Sequence, residues 1–269
     1  MKKLLVISSL IFVPLLLVSF ITRESASQAN RLRKIYSQHP SQWPAPFVDD
    51  NVKWTELGLI PPSPIENQKD SLQNIIALGK ALFFDPRLSS SGKISCATCH
   101  DPALHWTDKK EKSIGHEGAT TQRNAPTILN SWVYHKLFWD GRARDLQDQA
   151  FGPIESESEM NSEMPDVIRT IRKIKGYREF FEKAFGKNEI NPDRMTEAIA
   201  VFENTIVSNK SKFDRFLEGN KKALSNSELR GLHLFRTKAR CMNCHHGALM
   251  TDNLFHNIGT AGADVGLYK

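Results

Sequence analysis

Apolar residues recur at helical spacing in several stretches of the chain, and no stretch shows the period of two that marks a half-buried strand. The segment SLQNIIALGKALFFDP has this helical spacing and is stopped by Pro86. A second predicted helix begins at Asn191 as its N-cap, in NPDRMTEAIAVFENTIV. The same pattern predicts helices in MPDVIRTIRKIKG, YREFFEKAFG and SNSELRGLHLFRTK (225–238). The chain is therefore predicted to be all-α.

The first 29 residues do not fit this pattern. Two lysines precede an almost entirely apolar stretch at 4–21, and small residues follow it. This arrangement predicts a secretory signal peptide over residues 1–29, cleaved after Ser27 or Ala29, which would export the protein to the periplasm. An uncleaved anchor facing the periplasm is the alternative, because 18 apolar residues nearly span a bilayer. Residues 30–64 are aperiodic and contain proline and tryptophan, and we predict an extended lead-in there.

The net charge suggests a nucleic-acid ligand only at first sight. It is +6 for the whole chain, and removal of residues 1–29, which carry three cations and one anion, lowers it to +4. No basic recognition helix or basic arm is present in the sequence, and the densest basic run, RTIRKIKGYR, has the pattern of a solvated helix face. We therefore expect no nucleic-acid partner.

All four cysteines lie in two copies of the pattern C-x-x-C-H. Exported cysteines usually form disulfides, and paired cysteines can also hold zinc, but the two pairs are too far apart for ordinary zinc spacing. The histidine that follows each pair favours a third chemistry, in which two thiols bond to the vinyl groups of a haem and the imidazole ligates its iron. The sequence predicts two c-type haems, attached at Cys96, Cys99 and His100 and at Cys241, Cys244 and His245.

A weak internal repeat precedes the two motifs. Each is preceded by G-x-x-L-F and a basic connector, so that Gly79, Leu82 and Phe83 match Gly231, Leu234 and Phe235. We predict that each copy is a helix that packs its Leu-Phe edge on the following haem. The repeat favours two related haem domains, which we place at 65–208 and 209–269.

Several further segments lie in a fixed order between the haem motifs. These are SIGHEG, RNAPTILN and FWDGRARDLQDQAFGPIESESEM. With them, the chain from about residue 50 onward resembles the bacterial di-haem cytochrome c peroxidase family, whose relatives include the quinone-cofactor maturation enzyme MauG. The resemblance implies two cytochrome c-like domains and reduction of hydrogen peroxide to water. Electrons would come from a small soluble cytochrome c or cupredoxin.

The resemblance also implies roles for individual residues. His116 matches the distal histidine of the first haem, and Glu159 and Gln149 match the distal acid and its neighbouring amide. Trp139 matches a tryptophan between the haems, and Asn124 matches a ligand of a calcium ion. Outside its motif, Glu159 would be one more solvated carboxylate of an acidic run, as we expect for Glu155, Glu157 and Glu163.

The sequence after the second motif is shorter than a haem domain requires. Only 24 residues follow His245, and Met250 is too near it to reach the opposite haem face. His256 is more readily interpreted as structural. We therefore expect a truncated or interrupted family member, with an incomplete second domain whose haem lacks a methionine ligand.

Three functions stay open at this point. They are a cytochrome c peroxidase, a di-haem electron carrier without peroxide turnover, and a MauG-like oxidase of a protein substrate. A carrier needs no acid at a haem, so Glu159 and Gln149 favour an enzyme. The sequence identifies neither the donor nor the oligomeric state, and a homodimer is compatible with it.

Overall fold

In the computed structural model, residues 27–187, 189–256 and 259 are described. Among them, extended pairing is confined to isolated bridges, and every longer element is a helix, so the predicted all-α fold is confirmed. The chain forms two compact units. The first-motif unit comprises Pro61–Ser208 and a short stretch from Phe255, and the second-motif unit comprises Asn209–Leu254 and the described residues up to Ile60.

Helices surround one apolar core in the first-motif unit. Helix α2 packs against α6 and α7, and α4 packs against α7. Leu78, Leu82 and Phe83 of α2 are fully buried in this core. The helices are α2 (Gln73–Phe83), α3 (Cys96–Cys99), α4 (Leu146–Glu155), α5 (Met164–Lys173), α6 (Lys175–Phe185) and α7 (Pro192–Glu203).

The predicted start of α7 is confirmed. The side chain of Asn191 accepts a hydrogen bond from the backbone N–H of Arg194 (2.9 Å), as an N-cap does. Helix α4 was not predicted, because its sequence contains a glycine and Pro153. Pro153 lies in the last turn of this helix, where it removes the backbone donor that would otherwise bond to the carbonyl of Gln149.

The second-motif unit is built from two distant parts of the chain. Residues 27–36 are helical (α1), and they share a core with α8 (Lys212–Leu217) and α9 (Asn226–Arg236). Its buried side chains come from both parts: Leu32, Tyr36, Trp43, Leu57, Phe216, Leu224, Leu229, Leu232 and Met242.

The expectation of an extended lead-in over 30–64 is therefore wrong at its start, whereas residues 43–63 contain no helix. Its first residues belong to a helix, and Trp43 and Leu57 are core residues of the second-motif unit. These core positions could not be predicted from the sequence pattern. Trp43 and Leu57 are isolated apolar residues, and the other half of their core lies about 170 residues later in the chain.

Most of the predicted signal peptide lies outside the described residues, which begin at residue 27. Within the described part of the chain, no helix is both long enough and apolar enough to cross a bilayer.

The two copies of the sequence repeat pack differently. Gly79 lies where α2 crosses α7, and a methyl group added to it would overlap the carbonyl oxygen of Ala198 and lie 2.8 Å from Cβ of Phe202. Gly231 on α9 has no atom within 4 Å of such a methyl group. Leu82 is fully buried, whereas its counterpart Leu234 is 48% exposed. The repeat therefore does not extend to the helix contacts.

We expect Gly79→Ala to destabilise the first-motif unit by about 1–3 kcal/mol, because α2 and α7 must separate to admit the methyl group. Gly231→Ala is the matched control, since it adds the same methyl group at an exposed position of α9. It should leave the stability of the second-motif unit unchanged or raise it by up to about 1 kcal/mol. Denaturant-dependent hydrogen exchange of peptides from α2 and α9 would measure both. Equal effects of the two substitutions would contradict the close helix crossing.

Candidate active site

The first C-x-x-C-H motif is a short capped helix. Ser95 and Thr98 form a reciprocal capping box around α3, with the backbone N–H of Ser95 donating to Oγ1 of Thr98 (2.9 Å). The backbone N–H of His100 donates to the carbonyl of Cys96 (2.9 Å). The turn thus presents two thiols and an imidazole from five consecutive residues.

A backbone carbonyl fixes the orientation of His100. The chain reverses at His105 and Trp106, both with positive φ, and returns the carbonyl of Trp106 to the imidazole, whose Nδ1 donates to it at 3.2 Å. Burial lowers the pKa of His100, and the carbonyls of Trp106 and Pro126 oppose this effect only partly. A neutral imidazole whose Nδ1 is bonded to a carbonyl is the usual form of a histidine that ligates a metal through Nε2.

The second motif repeats this geometry in the other unit. The backbone N–H of His245 donates to the carbonyl of Cys241 (2.9 Å), and its Nδ1 donates to the carbonyl of Met250 (3.0 Å). Met250 therefore lies beside the ring nitrogen opposite the one that would ligate iron. The expectation that Met250 does not ligate the second haem stays a prediction.

Arg236 holds the second motif in place, and the sequence analysis missed it. Its side chain is 1% exposed and donates to Oε1 of Glu56 (2.5 Å), to the carbonyl of Pro44 (2.5 Å) and to the sulfur of Met242 (3.5 Å). Its guanidinium also lies 5.1 Å from the ring centre of Trp43. One buried cation therefore ties the N-terminal segment to the turn between Cys241 and Cys244.

The loop that carries His116 packs on the turn that carries Glu159. The backbone N–H of His116 donates to the carbonyl of Glu159 (2.8 Å), and Oγ of Ser90 lies 3.2 Å from Nδ1 of His116. A methyl group at Gly115 would overlap the carbonyl oxygen of Ser158. This close approach explains the glycine before His116.

The carboxyl of Glu159 lies within electrostatic reach of the first motif. Its charge contributes to raising the pKa of both Cys96 and Cys99, for which burial is the larger cause. Burial also raises the pKa of Glu159, while a hydrogen bond from Ser156 and the charge of Arg142 act in the opposite direction. The structure therefore brings together the first motif, the His116 loop and a carboxyl that holds its proton more tightly than an ordinary glutamate.

The other predicted site residues have different surroundings. Gln149 is half-buried on α4, the helix that leads into the Glu159 turn. Trp139 is 69% exposed, so it does not pack in the core of its own unit. Its neighbour Phe138 packs instead, with its ring against Gly152 and beneath the guanidinium of Arg142 (3.5 Å).

Asn124 is exposed in an irregular segment, and its calcium role stays a prediction. Glu155, Glu157 and Glu163 are also exposed.

The first motif has the chemistry of a haem attachment site and not that of a redox dithiol. None of the four cysteines forms a disulfide. Burial, with a smaller contribution from Glu203, raises the pKa of Cys96 to about 12, whereas dithiol oxidoreductases lower the pKa of their thiols. Oδ2 of Asp108 and Oε2 of Glu203 are buried without a hydrogen-bond partner in the described part of the chain. Such atoms accompany sites that another group completes, so these residues fit a covalently attached haem.

Comparison with known proteins decides the family. The family model described as di-haem cytochrome c peroxidase matches residues 73–222. The chain belongs to this family. Membership implies c-type haem cofactors and favours haem over disulfide or zinc chemistry at the cysteines.

Relatives in the family carry two kinds of name. The chain is 42% identical to the methylamine utilization protein MauG of Methylophilus methylotrophus over 207 residues, covering 76% of this chain and 61% of that protein. It is 44% identical to the cytochrome c551 peroxidase of Nitrosomonas europaea over 199 residues, covering 74% and 59% of the two chains. The chain therefore spans about three fifths of the length of these relatives.

A solved structure agrees with the fold. The crystal structure of a MauG-like protein associated with microbial copper homeostasis matches with a TM-score of 0.62 and 30% identity. The match covers 78% of this chain and 61% of that one. The chain therefore has the all-α, cytochrome c-like fold of the MauG-like di-haem proteins that it resembles.

Proposed function

We propose that the protein is a periplasmic di-haem cytochrome c peroxidase that reduces hydrogen peroxide to water at the first motif. The observation that carries this proposal is the position of Glu159, a half-buried carboxyl of raised pKa within electrostatic reach of Cys96 and Cys99. An electron carrier has no use for such a group. Its relative named cytochrome c551 peroxidase, at 44% identity, supports the same function.

The haem iron supplies the site at which peroxide binds and receives electrons. Glu159 would carry a proton from one peroxide oxygen to the other, because cleavage of the O–O bond requires protonation of the leaving oxygen. Gln149, a neutral amide, would hold the peroxide without titrating. His100 and His245, each oriented by its Nδ1 hydrogen bond to a carbonyl, would ligate the two haem irons, and His116 would be the second histidine of the first haem site.

Electrons would reach the first haem from a small soluble cytochrome c or cupredoxin, through the second haem and Trp139. Trp139 is 69% exposed, so it is not committed to the core of its own unit and is compatible with this role. A calcium ion held in part by Asn124, a homodimer, and export by the N-terminal signal belong to the same proposal.

A MauG-like oxidation of a protein substrate is the second candidate. It is favoured by the relative named MauG, whose identity of 42% is close to that of the named peroxidase. In that case peroxide would oxidise the haem-loaded protein, but reduced cytochrome c would be a poor electron donor.

The deciding experiment is peroxide-dependent oxidation of reduced cytochrome c and of a reduced cupredoxin by the haem-loaded chain. We expect steady turnover with at least one donor. Haem spectra that respond to peroxide without donor oxidation would favour the MauG-like candidate. If the haem spectra do not respond to peroxide in any redox state, the protein would instead be a di-haem electron carrier without peroxide turnover.

We expect His116→Gly to open the first haem to peroxide without prior reduction, because glycine leaves no imidazole for the sixth position. The electronic spectrum of that haem should change from low-spin to high-spin. Glu117→Gly, at the next residue, is a control that keeps the imidazole, because the Glu117 side chain is 83% exposed and its positive φ is one that glycine adopts readily. A low-spin spectrum retained in His116→Gly would remove His116 from the ligand set.

A further inference from the structure

A buried carboxyl with no part in the proposed mechanism lies at the end of α7. Glu203 is 5% exposed, and its Oε2 has no hydrogen-bond partner among the described residues. Ile199 and Phe202, close to it on the same helix, belong to the apolar core. Burying a charge without a partner is expensive, so carboxyls in such places are normally paired or protonated.

No described cation pairs with Glu203. Desolvation is the cause that raises its pKa, to about 8, and no charged group on α2, α4 or α5, the helices packed against α7, contributes to that shift. This isolation distinguishes Glu203 from Glu197 on the same helix, whose carboxylate accepts a hydrogen bond from Nη1 of Arg194 (2.7 Å).

Glu203 is within electrostatic reach of the first haem attachment site, because its neighbour Phe202 belongs to the apolar core against which Cys96 packs. After burial, its charge is the largest cause of the raised pKa of the Cys96 thiol. Glu159 acts on the same thiol with a smaller effect. The thiol that would bond a haem vinyl group is thus within electrostatic reach of two carboxyls, one from the end of α7 and one from the turn after α4, and only Glu159 has a role in peroxide cleavage.

We propose that Glu203 is a redox-linked proton site of the first haem, which gains a proton when the haem is reduced and releases it when the haem is oxidised. A ferric haem carries one more positive charge than a ferrous haem, and in a poorly screened interior that charge favours a neighbouring carboxylate. The coupling is reciprocal, so the protonation state of Glu203 must also shift the haem potential.

This coupling suits the proposed reaction. Reduction of one hydrogen peroxide to two waters consumes two electrons and two protons, and a proton that enters with an electron keeps the net charge of a buried site constant. The inference rests on haem attachment at Cys96 and Cys99, the first part of the proposed function. It does not require peroxide turnover.

Equilibrium redox titrations of the haem-loaded full chain test the inference. They would be run from about pH 6 to pH 10, spanning the pKa expected for a buried carboxyl, on the wild type, Glu203→Gln and the control Glu197→Gln. In the wild type and the control, one haem potential should fall as the pH rises through the window near pH 8, because the anion formed at Glu203 stabilises ferric iron. In Glu203→Gln that potential should be flat across the same window.

Two results would overturn the inference: a wild-type potential that does not change with pH, or a pH dependence that persists in Glu203→Gln. If Glu203→Gln fails to load haem, the inference can be tested on the wild type alone by infrared redox-difference spectroscopy. Reduction near pH 8 should then produce the carbonyl band of a protonated carboxyl, and its absence would equally reject the inference. A wild-type chain with the pH-dependent potential but no peroxide turnover would instead reject the peroxidase function and keep this proton site.

Discussion

Glu159→Gln should retain both haems and lose most peroxide turnover. The substitution keeps the size and hydrogen-bonding capacity of the side chain and removes the transferable proton. General acid–base groups typically contribute about 10²–10⁴-fold, which corresponds to about 3–5 kcal/mol of activation free energy. Steady-state oxidation of the electron donor by peroxide measures this loss, and the haem absorption spectrum verifies the cofactor content.

Glu157→Gln is the matched control for this prediction. Glu157 lies two residues away in the same acidic run but is exposed, whereas Glu159 is half-buried with a raised pKa. The control should turn over at the wild-type rate. A Glu159→Gln variant that keeps more than about a third of that rate falls far short of the expected loss, and the acid would have to be sought elsewhere.

Arg236→Met should destabilise the second-motif unit by about 3–5 kcal/mol. Removing one member of a buried ion pair leaves the other charge without compensation, and Glu56 already has a pKa raised by burial even with Arg236 beside it. The variant also loses the hydrogen bond to Pro44 and the stacking over Trp43. Methionine keeps the length and apolar character of the arginine stem, so the substitution removes the charge and the hydrogen bonds but changes the packing little.

Arg240→Met is the control here, because Arg240 pairs with Asp49 in the same unit but both side chains are about half exposed. Exposed pairs contribute about 0–1 kcal/mol. Denaturant-dependent hydrogen exchange of peptides from residues 27–57 and 226–247 would localise both effects. If both variants lowered the free energy of unfolding equally, the buried Arg236–Glu56 pair would contribute no more to stability than an exposed pair. Glu56→Gln combined with Arg236→Met should recover part of the loss.

Features fixed by local chemistry were predictable from the sequence. The N-cap at Asn191 and the helical stretches at α2, α5, α6, α7 and α9 follow from residue type and spacing. The two C-x-x-C-H turns are local in the same sense, because their ligands come from five consecutive residues. Family resemblance supplied Glu159 and His116, which by themselves would have been assigned to a solvated run and a loop.

Features that depend on distant partners were not predictable. Arg236 follows Leu229 and Leu232 on the buried face of α9, a spacing that marks its position as internal, but its partners Glu56 and Pro44 are about 180 residues away. Glu203 is the only charged residue in the mostly apolar segment IAVFENTIV, a pattern that favours a buried carboxyl. Trp139 is exposed whereas its neighbour Phe138 is half-buried and packs against Gly152, although tryptophan is the larger apolar side chain.

The split construction of the second-motif unit has a consequence for biogenesis. Arg33 donates to the carbonyl of Leu224, 191 residues later, and the hydroxyl of Tyr36 lies 3.0 Å from Nδ1 of His233. Helix α1 is synthesised well before α8 and α9, and its apolar face cannot be covered until those helices have been made. The intervening first-motif unit can fold on its own contacts meanwhile, which reduces the number of flexible residues between the two distant segments and so lowers the entropic cost of bringing them together. Holding factors that bind extended apolar segments should therefore engage this protein at its N-terminal helix and release it only when α9 has been made.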